Sequence, residues 1–186
     1  TYDIAFPPVL AVKLTGAPRP GVGPQDVALA LIAATFQNDF NKNKILEFVG
    51  DGISNISMEY RMGIDVMTTE SAALSSVWCT DEKTESFLAE HGRKEAYCKM
   101  FPKAGAYYDG LIEIDLSSVE CMIALPFHPS NAFEIDYLYE NLEDILRETE
   151  KAADQVAEGR AHFTLLDKIT KDGKLQVQQG IIAGCA

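Results

Sequence analysis

The chain has 186 residues, with 28 acidic against 16 basic side chains and a formal charge of −12. That length is room for one full α/β domain and part of a second, and 47% hydrophobic content is globular rather than disordered or low-complexity. A pI near 4.6 without a run of Lys or Arg argues against a nucleic-acid platform and against adsorption to an anionic membrane. In chain order, Val9-Leu10-Ala11-Val12 predicts an opening strand, followed by a turn-rich stretch from Gly16 to Pro24. Pro24 suits the first position of a helix over Gln25 to Asn38 that is buried on most of its surface, with Asp26 in its first turn. The apolar run inside it, Val27 to Phe36, is about half the length of a membrane span. Ile45 to Val49 predicts a short strand stopped by Gly50-Asp51-Gly52. Ser57 is a cap for a second helix with Met58, Met62, Val66 and Met67 facing inward. Leu74 to Cys79 reads as a further strand, and Thr80 opens a charged helix, Asp81 to Glu90, ended by Gly92.

The second half alternates more plainly. Leu111 to Leu116 interleaves apolar and acidic residues, the pattern of a half-buried strand. Val119 to Leu125 continues extended until Pro126 and Pro129 break it. Asn131-Ala132-Phe133-Glu134 has capping-box spacing, and a long amphipathic helix is expected from it up to Gly159, with Ile135, Leu138, Leu142, Ile145, Ala153 and Val156 inward. Its many acidic residues form the solvated face. Asp172-Gly173 is a hairpin turn between strands Phe163–Ile169 and Leu175–Ile182. Strands alternating with helices predict an α/β fold, a mixed or parallel sheet flanked by helices in three α/β/α layers.

Spacing alone carries little chemistry. There is no Gly-rich phosphate loop, no H-E-x-x-H and no G-x-S-x-G. Cys79, Cys98 and Cys121 have no C-x-x-C partner and read as free, largely buried thiols in a reducing cytosol. His91, His128 and His162 are scattered, each a surface or turn histidine rather than a ligand. The ends, Thr1 and Ile181-Ile182-Ala183-Gly184-Cys185-Ala186, read as the edges of a segment excised from a longer protein.

An ordered series of blocks goes further. Val12-Lys13-Leu14-Thr15-Gly16 with Gly23-Pro24-Gln25-Asp26-Val27, then Ile45 to Ser57, then Ile64 to Val77, resemble segments of the aconitase family. Tyr108 to Ser117 is similar to that family's "YDxVIEINLS", Pro126-Phe127-His128-Pro129 to its "PFTP", and Gly180 to Ala186 to its "VGLIGSCTN". The resemblance covers most of residues 9–130 and 180–186 in the family's order, and leaves 131–179 unmatched. It implies an aconitase-type α/β domain over residues 1–130, with 131–186 a long helix and strands leading into the next domain. It implies a cytoplasmic hydro-lyase that dehydrates a hydroxy-polycarboxylic acid of the hydroxy-tricarboxylate type and rehydrates the alkene, using a 4Fe–4S cluster. The isopropylmalate or homoaconitate type of dehydratase, or a non-catalytic scaffold, are the alternatives.

Two residues take roles from the resemblance. Glu70 falls on the acidic residue of "GAEIGAT", whose carboxylate hydrogen-bonds the water or hydroxyl at the open iron. Cys185 falls on the first of three cluster cysteines. The other two thiolates, the "DSH" histidine and the substrate arginines are absent from these 186 residues, so the segment alone is expected to be inactive and without a cluster. It is expected to contact the remaining domains of its own chain, and no nucleic acid or membrane. Val66 stands where the family has Asn, and Gly184-Cys185-Ala186 lacks the hydroxyls on either side of the cysteine.

Overall fold

A computed structural model describes residue 3 and residues 5–183. Strands β1 (Val9–Thr15), β2 (Ile45–Val49), β3 (Ser75–Trp78) and β4 (Gly110–Asp115) form one parallel sheet in the order β3-β2-β1-β4. The expected α/β class holds, a parallel sheet flanked by helices. Helix α1 (Pro24–Thr35) joins β1 to β2 and α2 (Met58–Asp65) joins β2 to β3, while α3 (Glu82–Glu90) lies on the path back to β4. Parallel neighbours need such crossovers.

Alternation along each strand builds the core. Leu10, Val12, Leu14, Leu46 and Phe48 share one face and are fully buried, with Ile112 and Ile114 beside them. Val27 and Leu31 of α1 and Ile64 of α2 belong to the same cluster. Each such side chain contributes on the order of 1.5–3 kcal/mol by leaving water. Phe48 also stacks on Trp78, its register neighbour, at 4.0 Å and 4°. The opposite face carries Lys13, Glu47, Glu113, Val77 and Leu111, and there Lys13 Nζ donates to Glu113 Oε1 at 2.9 Å. Gly50 is required where β2 ends: its φ is +103°, and a Cβ there would sit 2.2 Å from the Leu14 carbonyl oxygen.

A second, smaller region follows. Strands β5 (Met122–Ala124) and β6 (Ala132–Glu134) pair antiparallel, and helices α4 (Ile135–Glu140) and α5 (Leu142–Ala157) come next. Leu125, Leu138, Leu142 and Leu146 form its core, with Ile169 and Leu175 packed against them. The region sits on α1 at both ends of that helix. The Asp26 carboxylate accepts from the Gly23 and Met122 amides, both at 2.6 Å. Phe36, just past the other end, stacks on His128 at 4.0 Å. Sandwiched this way, α1 buries Val27, Ala28, Leu29, Leu31, Ile32 and Thr35, as its nearly unbroken apolar sequence requires.

Several expectations need correction. The α2 face toward the core is Arg61, Gly63 and Ile64, not Met58, Met62, Val66 and Met67. Arg61 can be buried because partners take up both terminal nitrogens of its guanidinium, Nε alone finding none among the described residues, and Gly63 lets α2 approach Pro24, where a Cβ would lie 2.6 Å from Pro24 Cγ. Asp81, not Thr80, caps α3, accepting from the Thr84 amide at 3.1 Å, and the Thr80 hydroxyl instead donates to the Cys98 carbonyl. No capping box forms at Asn131. Residues Ala132–Glu134 are drawn into the pairing with β5, and Asn131 Nδ2 donates to the Pro126 carbonyl. The long helix is broken at Asn141, which leaves helical geometry at φ −124° while its side-chain amide donates to the Tyr137 carbonyl at 3.0 Å.

Val156 is 68% exposed rather than inward. Around Asp172-Gly173 the turn is present, but the flanking strands reduce to one bridge, Ile169 to Leu175. Cys79 is buried as expected, whereas Cys98 and Cys121 are exposed because both lie in connections outside the strands. Among the described residues no helix is long and apolar enough to cross a membrane.

Candidate functional site

The chain reverses its path between β1 and β4: β2 and β3 are added on one side of β1, and β4 on the other. In open parallel sheets, ligands bind outside the carboxyl ends of the strands at such a reversal. Here that place is built from the end of β1, Gly16, and the end of β4, Asp115 to Ser118. The Asp115 carboxylate accepts from the Ser117 hydroxyl at 2.6 Å and the Ser117 amide at 3.0 Å, and these bonds hold its carboxyl below the ordinary value. Asn55 Nδ2 donates to the Gly16 carbonyl at 2.8 Å, tying the loop after β2 into the same corner.

The loops after β2 and β3 meet on Arg61. Its side chain is 2% exposed and donates to both Asp81 oxygens, at 3.0 and 2.5 Å. It also donates to the Ile53 and Ile56 carbonyls at 3.0 and 3.4 Å and to Thr84 Oγ1 at 3.2 Å. One buried guanidinium thus fastens the turn 51–56, helix α2 and the start of α3. Burial pushes the Asp81 carboxyl up, but the Arg61 hydrogen bonds, the Thr84 amide and the Arg61 charge outweigh it and leave it below the ordinary value. A cavity of about 110 Å³ lies beside this clamp, lined also by Asp65, Trp78 and Cys79. Asp65 accepts there from the Ser76 hydroxyl at 2.5 Å and the Trp78 indole at 2.9 Å.

Glu70 stands at the other end of the sheet. It lies in the 3-10 turn Thr68–Ser71, four residues after Val66, which closes α2. Leu74, just before β3, donates its amide to the Lys44 carbonyl, just before β2, so this turn is at the amino ends of the strands. Glu70 is half-buried, and its Oε2 accepts from the Thr69 hydroxyl at 2.8 Å. Ala72, which ends the turn, takes a left-handed φ of +62°. Glu70 is therefore not brought to the β1–β4 corner, and Cys185 lies outside the described residues.

Among the described residues no three His, Cys, Asp or Glu side chains converge as a metal site. Cys79 is isolated, and burial, reinforced by the charge of Glu47, pushes its thiol up and away from thiolate. The histidines are not ligands to one another either. His91 Nδ1 is 2.8 Å from the Phe87 carbonyl, His128 Nδ1 accepts the Ser130 amide at 3.1 Å, and exposed His162 is 3.4 Å from Asp154. What sequence reasoning missed is the Arg61–Asp81 clamp. Its one signal is an arginine placed on the same helical face as Ile64, three residues on, which an inventory of apolar positions passes over.

Comparison with known proteins adds the following. The family model described as Aconitase family (aconitate hydratase) matches residues 1–186. The chain is similar to the 3-isopropylmalate dehydratase large subunit of Elusimicrobium minutum, 35% identical over 125 residues, 67% of this chain and 30% of that protein. Large subunit 1 of the same enzyme from Thermotoga maritima is 33% identical over 129 residues, 69% of this chain and 31% of that protein. The mitochondrial homoaconitase of Candida parapsilosis is 43% identical over 82 residues, 44% of this chain and 12% of that protein. The chain thus spans about a third of the length of the large subunits it matches.

Proposed function

The chain belongs to the aconitase family, and from that premise we propose that it forms one α/β part of a hydro-lyase acting on a hydroxy-polycarboxylic acid. The match across all 186 residues carries this reading. The identities to 3-isopropylmalate dehydratase large subunits favour a substrate of the isopropylmalate type over citrate, with homoaconitate the next candidate.

In this reading Glu70 handles the proton of the departing and returning water. A dehydration removes a proton from one carbon and hydroxide from its neighbour, and a carboxylate can hold the hydroxyl's proton in place as that bond breaks. The Thr69 hydroxyl fixes Glu70 Oε2 and leaves Oε1 for that contact. Arg61 and Asp81 keep α2, and with it the turn that bears Glu70, in a single position relative to the sheet.

The described residues do not fit a 4Fe–4S cluster by themselves. A cluster with one open iron needs three thiolates, while Cys79 is buried and apart and Cys98 and Cys121 are exposed in separate connections. Cys185 is the proposed contribution of this chain, with the other thiolates and the substrate-binding cations supplied by further domains of a longer polypeptide. On that footing the 186 residues alone are inactive. The three free thiols among the described residues fit a reducing, cytosolic setting.

The test is hydro-lyase turnover of the full-length protein after anaerobic iron–sulfur reconstitution, read as alkene formation from 3-isopropylmalate, isocitrate and homoisocitrate. Glu70→Gln is expected to lower kcat by about 10²-fold or more with little change in stability. Unchanged turnover removes Glu70 from the reaction, and an unaltered cluster spectrum in Cys185→Ser removes Cys185 from the ligand set. One observation favours a non-catalytic scaffold instead: Val66, at the family's Asn position four residues before Glu70, has no side-chain hydrogen-bonding group. Absence of turnover on all three substrates by the reconstituted protein, with its cluster spectrum present, would count for that reading and against the substrates named here.

A further inference from the structure

Helix α5 is apolar over a wider stripe than its own region covers. One row, Leu142, Leu146, Thr149 and Ala153, is buried. The adjacent row, Ile145, Ala152 and Val156, faces an open groove of about 570 Å³ completed by Phe127, Phe133 and Tyr137. Phe127, Tyr137 and Val156 are 53%, 52% and 68% exposed. An exposed apolar stripe on a surface helix marks a contact. Among the described residues, the charged side chains lining this groove are Asp144 and Glu148, and no Lys or Arg lines it. Their nearest cations, Arg147 at 3.7 Å from Asp144 and Lys151 at 3.5 Å from Glu148, are outside the groove lining.

We propose that this groove receives an amphipathic helix of a partner polypeptide, its apolar row on Ile145, Ala152 and Val156 and its Lys or Arg flank on Asp144 and Glu148. A helix fits this wall better than a strand. The groove follows α5, about 24 Å long at 1.5 Å per residue, and the small Ala152, between Ile145 and Val156, permits the close axial approach of packed helices. Anchors at i, i+3 or i+4, and i+7 are the helix-in-groove mode of recognition. Acidic rims select a basic partner and set its orientation. The assignment uses neither Glu70 nor Cys185, so it stands apart from the hydro-lyase reading.

The probe is a synthetic helical peptide with Leu at i, i+3, i+7 and i+10 and Lys on one flank, titrated calorimetrically into the full chain. Saturable one-to-one binding is expected, weakening at least about tenfold as salt rises from about 50 to 500 mM. Val156→Asp, an exposed position that leaves the core intact, should abolish it, and Tyr139→Asp, exposed and outside the groove lining, should not. A Glu-flanked peptide of the same apolar pattern should fail. No binding of the Lys peptide, equal binding of the Glu peptide, or equal binding to Val156→Asp each overturns the proposal. So does a dimer of the chain alone that Val156→Asp dissociates, which would give the groove to a second copy. Binding by the 186-residue chain but not by the full-length protein would likewise overturn it, assigning the groove to the protein's own further domains.

Discussion

Within residues 9–119, five side chains of the sheet are wholly excluded from solvent and a buried guanidinium closes the loops above it. Within residues 121–175, four leucines, a two-stranded ladder and one bridge do the same work, and α5 keeps an open apolar row beside its buried one. The difference lies in what each region rests on. The sheet has its own crossovers: α1 and α2 cover a face that pairing in register has already made apolar. The smaller region has no such cover and uses α1 as its floor, held by Asp26 at one end and Phe36 at the other. One helix lies between the sheet and the β5–β6 pair, which explains why its sequence is apolar nearly all round.

If the two regions differ in this way, substitutions should separate them. The largest effect is expected from Asp81→Ala, which leaves the Arg61 guanidinium buried and unpaired, at a cost of about 3–5 kcal/mol in urea unfolding. Because the folded Asp81 carboxyl lies below its ordinary value, the stability it contributes is present above the unfolded value, near pH 4, and is lost as pH falls through the folded one. An acid-unfolding midpoint that does not move in Asp81→Asn would contradict this. Leu146→Ala should cost about 2–5 kcal/mol, but in the smaller region alone: hydrogen exchange should accelerate at residues of α4 and α5 and stay slow in β1 and β2. Uniform acceleration would show a single cooperative unit.

Asp26→Ala removes a carboxylate shared by two amides and should cost about 1–3 kcal/mol. Loosening of β5 and β6 ahead of the sheet is expected, and equal loss in both would refute the idea that the smaller region borrows its floor. Ser57→Ala removes one cap, where the Tyr60 amide meets Ser57 Oγ at 3.2 Å, and should cost about 1 kcal/mol without separating the regions. The smallest effect has the opposite sign. Ala72→Gly should gain about 0.5–1 kcal/mol by relieving a left-handed alanine in the turn that bears Glu70.

Local patterns were legible where local forces decide. Ile45–Val49 is apolar, β-branched or aromatic at its core-facing positions and bounded by Gly50, and it forms a strand over those residues. Ser57 caps α2 as its hydroxyl and position require. The acidic residues interleaved along β4 point away from the α1 face, as period two dictates. Failures came where a distant partner competed. Asn131 and Glu134 have the spacing of a capping box, yet β5 recruits residues 132–134 into a ladder. An inventory of apolar positions passes over Arg61, whose burial depends on Asp81, twenty residues on. Of the two proposed site residues, Glu70 was placed by its motif, but its position at the amino ends of the strands, away from the β1–β4 corner, is a property of the crossovers.

The sequence by itself determined the α/β class, the succession of elements and membership in one family. These follow from hydrophobic period, turn residues and motif order, all short-range properties of the chain. Only the tertiary structure decided that four strands run parallel with β1 and β4 adjacent, that Arg61 and Asp81 form a buried pair, and that α1 lies between the sheet and the smaller region. It alone left Ala152 and Val156 of α5 uncovered. Each of these rests on contacts between residues far apart in the chain, whose energies depend on distance and burial rather than on neighbours in sequence.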